Sequence, residues 1–248
     1  MNALSWRAER AFLKAWPALS TVTRNDWQAR FANGLSRRAN SVNPLIADSA
    51  LTDTDIRFFE HAYRAQNLPP IVRVPTLLHT DVDRILESHG FTSEGECCVL
   101  HGALGAVTAQ PDPAIEITQT PTRAWFDAMH AAQGRAGDQR PTYEAIINAI
   151  SLSAGFLTLR DKGGLVALAY GAIDGDLLCV ESVVTAVSHR GKGYAKRLMA
   201  ALLHWAKGCG ATTACLQMEA NNAAALAVYR RIGLSAELYR YHYRRANA

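Results

Sequence analysis

Apolar and polar positions along the chain follow two periods, and their changeovers mark the elements. Residues 3–15 carry Leu4, Phe12 and Leu13 among charged positions, as an amphipathic helix does, and Pro17 ends the run. Residues 26–33 and 38–45 read as strands, with Asn33-Gly34 predicting a hairpin turn between them. Thr52-x-x-Asp55 predicts a capping box opening a helix to about Gln66, with Ile56, Phe59 and Tyr63 on its inner face and Pro69-Pro70 beyond its end. A short strand is predicted at Ile71–Val74. Thr80-x-x-Asp83 predicts a second cap, with Val82, Ile85 and Leu86 inward and Gly90 at the C′ position. Glu96–Leu100 reads as the next strand.

The segment TAQPDPAIEITQTPT, residues 108–122, carries three prolines and divides the chain near Pro111–Pro113, giving domains 1–112 and 113–248. Past it, Ile115–Thr118 reads as a strand and 122–132 and 141–150 as helices. The polar loop Gln133–Arg140 between those helices is a candidate cover for an active site. Strands at Phe156–Asp161, Leu165–Ile173 and Leu177–Val187, with turns at Gly163-Gly164 and Asp174-Gly175, predict an antiparallel meander. A helix over Gly193–Lys207, a strand over Thr212–Met218, a helix over Asn222–Arg231 closed by Gly233, and a strand over Tyr239–Arg244 complete an α/β chain of the α+β, mixed-sheet kind. Residues 51–101 and 193–243 repeat one order: helix, strand, helix, a glycine between apolar residues or His, strand. An ancestral duplication would explain it, as would the common recurrence of helix-glycine-strand elements.

Composition narrows the function classes. In 248 residues, 49% are hydrophobic and 19% charged, which is ordinary for a globular protein with a real core. The net charge of +4 comes without a long basic run, so no nucleic-acid partner is expected. Five cysteines without a C-x-x-C pair predict neither a disulfide framework nor a metal site. Cys179 and Cys215 read as core thiols. No apolar stretch approaches the ~18 residues that span a bilayer, so no membrane partner is expected and the location read is cytoplasmic.

Chemistry is concentrated in VESVVTAVSHRGKGYAKRLMAALLHWA. An apolar strand enters Arg190-Gly191-Lys192-Gly193, and an amphipathic helix with Tyr194, Leu198, Met199, Leu202 and Ala206 on one face follows at once. Glycines let the backbone approach a ligand, and the first amides of a helix lack acceptors, so such a turn cradles an anion. The spacing is neither that of a P-loop nor that of a dinucleotide fingerprint. About thirty residues on, LQMEANNAAALAVYRRIGL places Asn222, Ala225 and Tyr229 on one helical face.

These pieces together resemble the GNAT N-acetyltransferases: the strand VESVVTAV, the turn SHRGKGYA, and N-x-x-A-x-x-x-Y-x-x-x-G from Asn222 to Gly233. The resemblance covers residues 113–248 and implies a GNAT fold there, with acetyl-CoA as cosubstrate. It implies that Val183, Val184 and Thr185 pair with the pantetheine arm. Arg190, Gly191, Lys192, Gly193, Tyr194 and Ala195 would hold the pyrophosphate, Asn222 would contact the cofactor, and Tyr229 would lie near its sulfur. The whole chain is similar to two-domain, mycothiol-synthase-like members in which a degenerate GNAT-like half-domain precedes an active copy. The first half has NPLIADSALTD where the second has VSHRGKGYAKR, so no acetyl-CoA is expected in it.

The activity implied is direct acetyl transfer to a primary amine, with no nucleophilic Cys or Ser marked by a base. Glu181, on the strand entering the cradle, is the candidate general base, and Glu219 is its rival. A backbone amide near Val184 or Thr185 would stabilise charge on the carbonyl oxygen, and Tyr229 would protonate the leaving thiolate. A cleft between two domains favours a small-molecule amine over a protein N-terminus. The alternative is a non-catalytic acyl-CoA-binding sensor.

Overall fold

The N-terminal amphipathic run forms α1 (Ala3–Ala15), whose Ala8, Ala11, Phe12 and Ala15 are buried. In the computed structural model, which describes residues 3–105, 112–162 and 164–247, six elements follow before residue 91: β1 (Ser20–Arg24), β2 (Trp27–Phe31), β3 (Val42–Pro44), α2 (Asp53–Arg64), β4 (Ile71–Pro75) and α3 (Val82–Ser88). Next come β5 (Phe91–Ala103), β6 (Ile115–Thr118), α4 (Arg123–Gln133), α5 (Arg140–Asn148), β7 (Ser153–Asp161), β8 (Gly164–Asp174) and β9 (Leu177–Thr185). The chain closes with α6 (Tyr194–Gly208), β10 (Thr213–Glu219), α7 (Ala223–Arg231) and β11 (Ala236–Ala246).

All eleven strands join one mixed sheet in the order β1-β2-β3-β4-β11-β5-β10-β9-β8-β7-β6. The meander β7-β8-β9 is antiparallel, as its turns predict. At the middle the chain crosses over itself. β11 lies between β4 and β5, and β5 lies between β11 and β10, all antiparallel. Helices cover both faces. α1, α4 and α5 pack through Phe12, Trp125 and Tyr143 with Tyr170, Cys179 and Tyr241 of the strands. On the opposite face, α6 packs Leu198, Met199 and Leu202 with Leu157, Leu178 and Leu216. α2 and α3 cover that face over Val72, Val74 and Phe91.

The predicted capping box is present: Thr52 accepts from the Asp55 amide, and Asp55 accepts from the Thr52 amide. Three expectations need correction. The hairpin is not at Asn33-Gly34. It joins β1, absent from the expected elements, to β2 through Asn25, whose φ is 50°. β1 is mostly exposed, so no apolar alternation marks it. Residues 32–41 instead make a longer loop, in which the Asn40 Oδ1 accepts the amides of Ala32 (2.7 Å) and Gly34 (2.9 Å). Thr80 does not cap α3; its hydroxyl donates to the Ser49 carbonyl at 2.8 Å, and Asp81 takes the N-cap position. β9 ends at Thr185, and Val187–His189 is a 3-10 turn. Pro111, at the predicted boundary, and Gly163, of the Gly163-Gly164 turn, lie outside the described residues.

Candidate functional site

β9 carries the site because it leaves its neighbour. Its parallel pairing with β10 runs only from Leu177–Thr213 to Val180–Leu216. From Glu181 to Thr185 that edge of β9 has no strand beside it among the described residues. A bulge sits at the same place: Tyr170 faces Glu181 and Leu168 faces Val184, so Ser182 (φ 49°) and Val183 share one partner position. The extra residue bends the strand and swings its end away from β10.

The strand end feeds the glycine turn. Gly191 (φ 77°) and Gly193 (φ 80°) both adopt the left-handed conformation that only glycine takes without strain, and nothing lies within 4 Å of where either Cβ would stand. No side chain caps α6. The first amide past the turn to find an acceptor is that of Arg197, on the Gly193 carbonyl at 3.2 Å. The amides of residues 191–196 have none among the described residues, and their dipoles add to that of α6. α6 is held in place by Tyr194, whose hydroxyl bonds Asp161, and by Arg197, paired with Asp112 at 2.8 Å. Orphan amides beside open space, with Arg190, Lys196 and Arg231 near, fit a phosphate-bearing ligand.

A cavity of about 470 Å³ opens above this turn. Of the residues expected to bind cofactor, Val183, Val184, Thr185, Arg190, Gly191, Gly193, Tyr194 and Ala195 line it. Lys192 and Asn222 do not. Asn222 is the N-cap of α7, its Oδ1 accepting the Ala225 amide at 3.0 Å. Lys196, Ala224, Val228 and Arg231 line the cavity without having been singled out as binders, and His189, weighed as a phosphate contact, and Ala225, noted for its helical face, join them. The helical period of α7 carries the signal for three of these, since Ala224, Val228 and Arg231 fall at i, i+4 and i+7.

Neither Glu181 nor Tyr229, the two expected catalytic residues, lines this cavity. Burial first, then the charge on Glu181, pushes the Tyr229 hydroxyl up to about 12. Tyr229 therefore keeps its proton at neutral pH. Glu181 is buried, and Arg38 donates from Nη1 to both its carboxylate oxygens at 2.8 Å. Burial raises the Glu181 pKa above the ordinary carboxylate range against the opposing pull of Arg38. Because one nitrogen serves both oxygens, the carboxylate retains lone pairs for a further donor. The Arg38 guanidinium lies 5.2 Å from the centre of the Trp16 ring, next to α1. Sequence reasoning missed Arg38 as a partner of Glu181: the two are 143 positions apart, and no local spacing links them. Glu219, at the end of β10, is exposed and has no ion-pair partner among the described residues.

A mixed sheet that splits between two parallel strands, above a glycine cradle at a helix start, defines an acyltransferase of the GNAT class. The family described as "Probable histone acetyltransferase Rv0428c C-terminal" matches residues 6–245, and the chain belongs to it. It is 26% identical over 242 residues to the protein described as uncharacterized N-acetyltransferase YobR of Bacillus subtilis, covering 96% of this chain and 97% of that one. A GCN5-related N-acetyltransferase from Kribbella flavida shares the fold with a TM-score of 0.75 and 16% identity, over 100% of this chain and 97% of its own. A tandem GNAT protein from the clavulanic acid biosynthesis pathway superposes with a TM-score of 0.58 and 12% identity, over 84% and 76%.

Proposed function

We propose that this acyltransferase moves an acetyl group from acetyl-CoA directly onto a primary amine, and that the amine belongs to a small molecule. The observation that carries the reading is the row of unsatisfied amides behind Gly191 and Gly193, at the foot of a cavity that continues along the open edge of β9. GNAT acetyltransferases generally use acetyl-CoA, and this chain has the parts to hold it. The amides of residues 191–196 with Arg190 would take the pyrophosphate, and the free edge of Val183–Thr185 would pair with the amide groups of the pantetheine arm.

Acetyl-CoA supplies an acyl thioester, whose carbon–sulfur bond is exchanged for a carbon–nitrogen bond to the amine with release of the CoA thiol and one proton. The chain's own groups handle charge and protons. An alkyl ammonium has a pKa near ~10 and must lose a proton before it attacks. Glu181 takes that proton, its basicity raised by burial and its orientation held by Arg38. Tyr229, protonated at neutral pH, gives its proton to the thiolate, and the second nitrogen proton restores its hydroxyl. An amide on the bulged end of β9 faces the carbonyl oxygen as charge develops there.

The N-terminal half is in this reading a degenerate GNAT-like copy that holds no acetyl-CoA. In support, each half inserts its last strand beside the last strand of the other, which gives the sheet a two-fold order around β11 and β5. A tandem GNAT protein among the structural neighbours has a similar fold.

The test is a thermal-shift titration with acetyl-CoA on the wild type and Gly191→Asp, which places a carboxylate in the cradle at a left-handed φ. At 100 times the dissociation constant the wild type should gain about 2.7 kcal/mol, and the variant nothing. No shift in the wild type at millimolar acetyl-CoA overturns the proposal. A shift without CoA release from any amine points to the acyl-CoA sensor instead.

A further inference from the structure

A second cavity, of about 240 Å³, lies against the end of β10, the loop 32–41 and the middle of β11. Arg37, Arg38, Gln217, Glu219, Tyr241 and Tyr243 line it. It adjoins the predicted chemistry, since Arg38 reaches from its wall to Glu181 at 2.8 Å. Its volume is below the ~300–1,000 Å³ of pockets that hold drug-sized ligands, so a small molecule fits.

Among the described residues, two donors on residues of the wall have no partner. Gln217 Oε1 accepts from the Tyr241 hydroxyl (2.6 Å) and from Arg73 Nη1 (3.3 Å). Those two donors settle which end of the amide is oxygen, and they leave Gln217 Nε2 buried with no partner. The Tyr243 hydroxyl is buried and equally unpartnered, on a residue only 2% exposed. Two unsatisfied donors on residues that line one small cavity favour an acceptor-rich ligand group, because an unpaired buried donor is costly to leave unmet.

Charge points the same way. Three guanidiniums, Arg30, Arg38 and Arg73, gather on this side of the sheet with two carboxylates, Glu9 and Glu181. Burial, and then repulsion from Arg73 and Arg38, lowers Arg30 to about 10, as expected where positive charge is in excess. Arg37 adds to that excess. Its guanidinium sits 5.0 Å from the centre of the Tyr243 ring, and its nearest carboxylate, Glu94 at 3.6 Å, is taken more closely by Arg245 at 2.9 Å. β5 makes room for it with Gly95 (φ 63°), where a Cβ would collide with the guanidinium. The other sign appears at Glu219, a lining carboxylate for which no ion-pair partner is found among the described residues.

We infer that this cavity takes the acceptor, and that the acceptor is an amine carrying a carboxylate, of amino-acid size. Its carboxylate meets Arg37 and the unpartnered donors of Gln217 and Tyr243, and its ammonium meets Glu219 beside the Arg38–Glu181 pair. Arg37 is thus the residue that selects the acceptor. The inference rests on the acetyltransferase reading above.

The test follows CoA release at saturating acetyl-CoA with small amino acids and their decarboxylated counterparts, such as L-serine with ethanolamine and L-alanine with ethylamine. At least one amino acid should exceed its amine in kcat/KM by about tenfold or more. In Arg37→Met the KM for that amino acid should rise by about tenfold or more with kcat kept within about twofold, and the matched amine should be unaffected. Arg37→Lys should recover part of the loss, which a fold defect would not allow. Preference for the decarboxylated amines, an equal effect of Arg37→Met on both members of a pair, or acetylation confined to amines without a carboxylate overturns the inference. The acetyl-CoA thermal shift separates the two failures. If it persists while the amino acids are refused, the acceptor assignment falls alone; if it is absent, the acetyltransferase reading falls first and this one with it.

Discussion

In the proposed reaction a phenol and a carboxylate, both with raised pKa values, divide the proton work. Tyr229 holds its proton because burial and the nearby Glu181 charge both disfavour the phenolate. Glu181 owes its basicity to burial and its position to Arg38. Tyr229→Phe removes the proton donor and leaves the ring. The expected outcome is a kcat about 100- to 10,000-fold lower with the acetyl-CoA thermal shift unchanged, read by single-turnover kinetics beside the ligand titration. An unchanged kcat would assign the proton to water. At this scale the sequence was partly legible. Glu181 and Tyr229 stand out through their places on a strand and a helix. Arg38 does not, because its significance lies in a contact made across the whole chain.

Elements are held to one another by a few polar clamps and close approaches. α3 is tied to β11 by Asp83, which accepts from Arg244 Nε (2.8 Å) and Nη2 (2.9 Å) and faces His242 Nε2 at 2.6 Å. The Arg244 hydrogen bonds, foremost, lower Asp83 to about 2. A folded pKa below the unfolded value of about 3.9 means that this clamp stabilises the fold fully above about pH 4 and is lost as pH falls through about 2. In chemical denaturation, the stability gap between wild type and Asp83→Asn should therefore close between those two pH values; a gap that stays constant would show that the clamp contributes nothing through ionisation. At the far end of α7, Gly233 approaches Gly102 of β5 so closely that a Cβ on Gly102 would collide with the Gly233 carbonyl. Most elements were legible from period and caps: the α2 capping box, the α6 face and the β7-β8-β9 meander all stand as the pattern predicts. β1 was not legible because it is an exposed edge, and the Asn33-Gly34 turn misled because Asn40 closes a longer loop around it.

Across the whole molecule, the exchange of β5 and β11 dominates. β5 is the last strand before the boundary expected near residues 111–113 and β11 the last strand after it, and in the sheet β11 lies between β4 and β5 while β5 lies between β11 and β10. A fragment of residues 1–112 would leave β4 and β5 without β11 between them, and a fragment of residues 113–248 would leave β10 without β5. Unpaired strand edges of this length are aggregation-prone. Expressed singly, the two fragments should be insoluble or partly folded; expressed together they should form a complex with native thermal unfolding. Independent two-state folding of either fragment, measured by circular dichroism, would show that the exchanged strands are dispensable.

Local chemistry determined much of this protein directly. Periodicity, caps and glycines dictate helices and strands through interactions within a few residues, and the glycines of the turn Arg190–Gly193 dictate the left-handed bends that open α6. Long-range contacts set the rest: the crossing of β5 and β11, the departure of β9 from β10 after Val180, the pairing of Arg38 with Glu181, and the cavity where the loop 32–41 meets β10. Those features depend on which distant segments share a sheet edge, and the free energy of such pairings comes from burial and charge neutralisation between groups that no local pattern connects.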